Sequence, residues 1–278
     1  MSSVAALLVT RDSERWIELT LASVLGQSRR VDEVVVVDDG SSDATVDIVR
    51  RVLGDDARIL SSTATSSDRS TRIAHNFRQG LQACVQHDVV VLGDHDDVWH
   101  PNRVGHQAGL LDVWQDEAML ASDGRLVDEE GRPTGGTLRD AFPVGMDWSS
   151  SSADTRMRTV LRRSVATGGA CAVRPGALAD VEIPAGGLHD RWWSLVATAR
   201  EQLRVDDEMV IDYRVSADQQ VGLDRGRQAR STPARLVSGM ASLPGTLSRL
   251  GDLRALSAYA TDRTRPALST TAILQALA

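Results

Sequence analysis

The chain of 278 residues contains no lysine; all 31 of its basic side chains are arginine. It has only two cysteines, Cys84 and Cys171, far apart and without metal-type spacing. That excludes a cysteine-built metal site. Cys84 falls in a helical pattern and Cys171 in a strand-like one, so both read as reduced core residues. No apolar run reaches the roughly 18 residues that a membrane-spanning helix needs. No charged, apolar and small-residue signal opens the chain. The expectation is a cytoplasmic protein, with peripheral attachment to the inner face of a membrane left open. An excess of positive charge is also lacking. The formal net charge of −7 argues against a general nucleic-acid binder, which needs a basic footprint. With 42% hydrophobic and 25% charged residues, the composition is that of an ordinary globular protein. The length suits one large α/β domain or two modest ones.

What is present is an alternation of strand-like and helical patterns. Val4 to Val9 and Val34 to Val37 are apolar runs of the kind buried on both faces of a parallel sheet. Arg58 to Leu60 predicts a short third strand, and Val89 to Leu92 a fourth. Between them lie helical patterns: Trp16, Leu19, Thr20, Ser23 and Val24; Val46, Ile48, Val49 and Val52; then Ile73 to Val85. Asp12 or Ser13 would cap the first helix, and Pro101 would open another. Such alternation predicts a mostly parallel central sheet flanked by helices. Ligands in such sheets bind beyond the carboxyl ends of the strands. The second half is less regular. Met119 to Val127 predicts a strand, Asp128 to Gly136 a hairpin, His189 to Arg200 a helix and Met209 to Val215 a strand. From Ser231 onward, leucines and alanines at helical spacing predict C-terminal helices, which read as core more readily than as a membrane face.

Polar clusters stand at three predicted strand ends: Thr10-Arg11-Asp12, Asp38-Asp39-Gly40-Ser41 and Asp94-His95-Asp96-Asp97. The last is the most informative. Packed carboxylates after a buried strand repel one another unless a cation or proton lies between them. Hard oxygen ligands favour Mg²⁺ or Mn²⁺, usually in company with substrate phosphates. The plainer alternative is a strand-end loop that caps the next helix. Asp38-Asp39-Gly40-Ser41 could equally be a tight turn. Arg72, His75 and Arg78 read mainly as a solvated helical face, with phosphate contact as the alternative. Thr167-Gly168-Gly169-Ala170 permits close backbone approach to a ligand. In His189-Asp190-Arg191-Trp192-Trp193 a carboxylate sits beside two large aromatics, a setting for a general base. Trp192 and Trp193 are adjacent on a helix and so cannot both face one ligand.

Taken in order, these motifs resemble family 2 glycosyltransferases of the GT-A fold, over roughly residues 4 to 222. Val36-Val37-Asp38-Asp39-Gly40-Ser41-Ser42-Asp43 resembles that family's nucleotide-binding turn. The segment Asp94-His95-Asp96-Asp97-Val98-Trp99-His100-Pro101-Asn102 resembles its metal-binding DxD segment. Thr167-Gly168-Gly169 and His189-Asp190-Arg191-Trp192-Trp193 resemble a rhamnosyltransferase-like subgroup. There are departures. Asp68-Arg69-Ser70 and Ala74-His75-Asn76 stand where many relatives have Asn-x-Gly and Ala-Arg-Asn, and the Gln-x-x-Arg-Trp pattern of processive synthases is missing.

The resemblance implies a glycosyltransferase domain over 1–225, with a nucleotide-binding half at 1–115 and an acceptor-side half at 116–225. A C-terminal helical extension would follow at 226–278. It implies inverting, metal-dependent transfer from a nucleotide-diphosphate sugar, with rhamnose as a candidate sugar, to a hydroxyl of a glycan, lipid-linked sugar or small molecule. Asp190 would be the catalytic base. Asp96 and Asp94 would hold Mg²⁺ or Mn²⁺. Thr10, Asp12, Asp39, Arg72, Asp94, His95 and Arg214 would bind the nucleotide sugar; Gly168, Gly169, His189, Trp192 and Trp193 would line the acceptor side. A homodimer is compatible with all of this. Two other classes compete: a nucleotidyltransferase acting on sugar phosphates, and a non-catalytic sugar-nucleotide-binding protein.

Overall fold

The computed structural model describes residues 1–54, 57–145, 147–215 and 251–277. Three strands begin the fold: β1 (Val4–Thr10), β2 (Glu33–Asp38) and β3 (Arg58–Ser61). Helices α1 (Ile17–Leu25), α2 (Thr45–Leu53) and α3 (Arg69–Ala83) connect and follow them, before β4 (Val89–Asp94). These four strands are parallel, in the spatial order β3-β2-β1-β4. Every residue of β1 is buried, because the strand is covered on both faces. Its alternate side chains enter two separate cores. Val4, Ala6 and Leu8 pack with Ile17 and Leu21 of α1, whereas Ala5, Leu7 and Val9 pack with Phe77 and Leu81 of α3.

The second half adds β5 (Val98–Trp99), α4 (Arg103–Val113), β6 (Met119–Val127), β7 (Pro133–Thr137) and the single turn α5 (Leu138–Ala141). Then come α6 (Ala153–Arg162), β8 (Cys171–Val173), the single turn α7 (Pro175–Leu178), α8 (His189–Ala199) and β9 (Leu203–Arg214). The sheet continues β4-β8-β6-β9-β5, with β7 on β6. Strand β8 runs antiparallel to both β4 and β6, and β5 is antiparallel to β9. The parallel pairing read from the sequence holds for β1 to β4 and recurs between β6 and β9, while the antiparallel β8, β7 and β5 make the complete sheet mixed.

Local departures have physical causes. The buried face of α1 is Ile17, Thr20, Leu21 and Val24, while Leu19 points outward. Helix α1 begins after Trp16 with no side-chain cap. Asp12 instead spends its carboxylate on the neighbouring loop, accepting from Ser42 N at 2.7 Å. Asp190 lies in the first turn of α8, whose N-cap is Leu188. Both cysteines are free and buried.

Near the C-terminus, α9 (Thr270–Leu277) packs on α6, and Leu253, Leu256, Leu268 and Ile273 join the α3–α8 core. Those leucines are core residues. Among the described residues no helix is long and apolar enough to cross a membrane. Of the C-terminal helices expected from Ser231 onward, the stretch 231–250 lies outside the described residues.

Trp193 is fully buried in that same core. Trp193→Ala is therefore expected to cost about 3–5 kcal/mol of stability, read by denaturant unfolding.

Candidate active site

Strand register brings the polar clusters together. Thr10 pairs with Asp38 across β1 and β2, and Val9 pairs with Asp94 across β1 and β4. Three carboxyl ends therefore finish level on one edge. They open onto a cavity of about 970 Å³, at the upper end of the roughly 300–1,000 Å³ usual for ligand pockets. Its wall includes Thr10, Asp12, Asp39, Arg72, Asp94, His95 and Asp96 from the first half. From the second half come Gly168, His189 and Asp190. Residues 72 to 180 positions apart in sequence thus share one cavity because β8 inserts beside β4.

On the nucleotide-turn side the loops are tied by hydrogen bonds. Asp12 has a left-handed backbone, φ 44°, a conformation that aspartate tolerates better than most residues. It is held there by its N–H donating to Ser41 Oγ at 2.9 Å and by its carboxylate accepting from Ser42. The Ser42 backbone N–H holds the Asp12 carboxyl below the usual carboxylate range. Asp39 accepts from Arg72, and Arg11 lies 3.5 Å from the same oxygen. The Thr10 hydroxyl is buried against that of Ser13.

The acidic floor is under electrostatic pressure. Desolvation first, and then the Asp96 charge, push Asp94 up to about 7. Asp97 is buried and driven upward by the same causes, with Asp94 adding to them. Asp97 Oδ1 accepts from Arg214 N at 3.0 Å, while its Oδ2 has no partner among the described residues. Beneath these acids the buried Arg103 donates to Leu92 O at 2.6 Å and Cys171 O at 3.3 Å, and stacks 4.0 Å from the Trp99 ring. Burial lowers its pKa to about 9. Gly169 is required here by close approach: a Cβ on it would lie 2.6 Å from Asp97 Oδ2 and 3.0 Å from Asp94 Oδ2.

Asp190 faces this floor from the first turn of α8. Its Oδ2 accepts from Gly168 N at 3.0 Å and its Oδ1 from Arg191 N at 2.6 Å. Both bonds fix the carboxylate against the cavity wall. His189 stacks on Phe77 with ring centroids 3.6 Å apart and meets Trp193 edge-on at 5.4 Å. Burial pushes His189 down to about 4, and neither ring nitrogen has a partner among the described residues. The imidazole is neutral at pH 7. In the unfolded chain it titrates near 6.5, so the unfolded state binds more protons between pH 6.5 and 4. Stability is then fully present above pH 6.5 and is lost as pH falls through 4, by up to about 1.4 kcal/mol per pH unit. His189→Phe is expected to remove that slope from urea unfolding measured across this window.

Four expected site residues are not in the cavity wall: Trp192, Trp193, Arg214 and Gly169. Trp192 and Trp193 are both buried in the core. Their position follows from the helix: α8 lies under the sheet and is buried along almost its whole length. Arg214 is buried and donates to the carbonyls of Asp96, Asp128 and Glu129 at 2.7–3.1 Å. It also stacks 4.2 Å from the Trp16 ring, which Arg15 approaches at 4.0 Å. It is a clamp between β9, the acidic loop and the β6–β7 turn. Gly169 acts from behind the acids. Tyr213, beside Arg214 at the end of an apolar strand, lines the cavity, as do Glu129 and Phe142, which sequence reasoning missed. Burial first, then the aspartates Asp97, Asp94, Asp96 and Asp190, push the Tyr213 hydroxyl well above its usual range. It stays a neutral donor. His75 and Arg78 lie outside the wall, bonded to Thr63 and Glu182.

The model of glycosyl transferase family 2 matches residues 6–172. The chain belongs to this family. No curated protein matches it. Solved structures similar to this family 2 chain include S. aureus TarS 1-349 in complex with UDP-GlcNAc, at 16% identity and TM-score 0.59, covering 99% of this chain and 72% of that one. Another is glucosyl-3-phosphoglycerate synthase from Mycobacterium tuberculosis in complex with Mn²⁺, UDP and glucosyl-3-phosphoglycerate. It is 17% identical with TM-score 0.53, covering 94% of this chain and 81% of that one. At these identities the likeness is one of fold, the GT-A arrangement. As a family 2 member the protein is a glycosyltransferase.

A divalent cation fits the donor set of this glycosyltransferase. Among the described residues no three His, Cys, Asp or Glu side chains form a ready-made cage. Mg²⁺ does not need one, because it is usually held by one or two carboxylates together with substrate phosphates and water. Asp94 and Asp96 face the cavity, and the repulsion that raises Asp94 and Asp97 is what a cation relieves.

Proposed function

We propose that the protein is a divalent-metal-dependent, inverting glycosyltransferase. It would move a sugar from a nucleoside-diphosphate carrier to an acceptor hydroxyl. The observation that carries this reading is that Asp190 and the Asp94–Asp96 pair face one cavity. Thr10, Asp12 and Asp39 bind the nucleoside at the level ends of β1 and β2, with Arg72 beside Asp39. Asp94 and Asp96 would hold Mg²⁺ or Mn²⁺, and the cation would supply positive charge against the departing nucleoside diphosphate. Asp190 takes the proton of the acceptor hydroxyl, and Gly168 N–H orients its carboxylate for that task. Attack from the Asp190 side, opposite the departing diphosphate, inverts the anomeric centre. Tyr213 donates to the donor's oxygens from between the two sets of acids.

Uridine is the first nucleotide to test, since UDP or a UDP sugar is present in the similar structures named above. The subgroup resemblance of His189-Asp190-Arg191-Trp192-Trp193 adds dTDP-rhamnose. A thermal-shift panel of nucleotide sugars, with and without Mn²⁺, decides between them, because ligand binding to the native state raises Tm. One donor should stabilise the protein with Mn²⁺ and release nucleoside diphosphate on turnover. Release of pyrophosphate would instead make the protein a nucleotidyltransferase. Binding without transfer or slow hydrolysis would make it a binding protein.

A further inference from the structure

Among the described residues five arginines line the cavity, Arg11, Arg15, Arg69, Arg72 and Arg191, with Arg69 near Arg11 and Asp39 on the nucleotide side. Arg11 and Arg72 are engaged by Asp39, and Arg15 is paired with Glu129 at 3.1 Å. Arg191 lines the cavity too, yet among the described residues no carboxylate stands within ion-pair distance of it. Its anchors are backbone carbonyls at the end of α6: Nη1 donates to Arg163 O at 2.7 Å and Nη2 to Leu161 O at 3.0 Å. A guanidinium has five N–H donors, so donors are left over. Desolvation lowers its pKa to about 10, and it stays charged at neutral pH. Asp190 acts on it electrostatically without pairing with it, so a bound anion would be its first direct ion-pair partner among the described residues.

Its position says which ligand. Arg191 follows the proposed base directly, and its head is fixed to the segment that carries Ser164 and Ala166 into the wall. Phe142 lies in the same wall and offers an apolar face. The acidic floor that would meet the donor diphosphate belongs to β4. We propose that the acceptor carries a negative group, a phosphate or a carboxylate, near its reacting hydroxyl, and that Arg191 binds that group. This rests on Asp190 marking the acceptor side. Bidentate contact with a carboxylate or phosphate is what the guanidinium fork is shaped for.

The test fills the donor site first. Protein saturated with UDP and Mn²⁺ is titrated with glycerol 3-phosphate, and with glycerol as the neutral control, by calorimetry. Glycerol 3-phosphate should bind and glycerol should not. Arg191→Gln should weaken that binding at least tenfold, and Arg191→Lys should restore part of it. Because Arg191→Gln also removes bonds to α6, Ser164→Glu is the second variant. It leaves those bonds in place and supplies a built-in anion, and it should weaken binding comparably. UDP affinity and Tm are recorded for each variant. Vesicles of phosphatidylglycerol, assayed by co-sedimentation with the UDP-loaded protein, separate a lipid-borne anion from a soluble one. Recruitment lost in Arg191→Gln supports the lipid-borne form, and binding of soluble glycerol 3-phosphate alone supports the soluble one. Equal binding of glycerol and glycerol 3-phosphate, no binding of either anion, or unchanged binding in both variants would overturn the proposal. Asp190→Asn turnover is a separate measurement, so failure of the base assignment is distinguishable from failure here.

Discussion

Asp190→Asn is expected to lower turnover by roughly 10²–10⁴-fold, the usual cost of removing a general base, with donor affinity unchanged. The residues proposed to bind the donor lie at the ends of β1, β2 and β4 and on α3, and none of them hydrogen-bonds the Asp190 carboxylate. Asparagine keeps one acceptor oxygen for Gly168 N–H but presents an amide near Arg191 N–H, so a small loss of stability is expected as well. Measuring Tm beside single-turnover kinetics separates the two. A variant that binds donor, melts near the wild-type temperature and transfers sugar at a normal rate would move the base to another residue.

Asp96→Ala is expected to act on the other half of the reaction. The metal-dependent part of donor binding should fall by about 100-fold or more, in keeping with several kcal/mol of charge stabilisation. Titrating UDP with and without Mn²⁺ reads this. The same substitution makes an unusual stability prediction. The Asp96 charge raises both Asp94 and Asp97, so deleting it relieves repulsion in the metal-free protein. The Asp96 carbonyl that anchors Arg214 remains. Metal-free Asp96→Ala should therefore melt no lower than the wild type, although it binds donor far more weakly. A large drop in its Tm without metal would show that the carboxylate holds the fold together instead.

Much of the site was legible because its chemistry is local in sequence. Apolar runs ended by acids at residues 10–12, 38–41 and 94–97 mark strand ends, and parallel alternation requires those ends to lie side by side. The aromatic segment after His189 was harder. Its two tryptophans resemble a sugar platform in sequence, yet α8 is so deeply packed that both serve the core. Arg214 ends a strand and looks available for phosphate, but it is buried and its guanidinium donates to the backbone carbonyls of Asp96, Asp128 and Glu129. Glu129 and Phe142 carry no motif: Glu129 reaches the cavity in the β6–β7 turn and Phe142 at the end of α5, while Tyr213 is placed by the β6–β9 pairing.

Hydrophobic periodicity and strand-end acids were sufficient to specify a sheet flanked by helices with polar clusters at its strand ends, and the nucleotide-sugar transferase fold followed from the resemblance of the motifs to family 2 glycosyltransferases. Those features act between residues a few positions apart, so no tertiary knowledge is needed to read them. Tertiary structure alone decided which arginines are clamps and which face the cavity, and which aromatics are wall and which are core. The physical reason is that burial and counter-charge are set by elements distant in the chain. Strand β8 inserted beside β4 is what turns separate clusters into a single cavity.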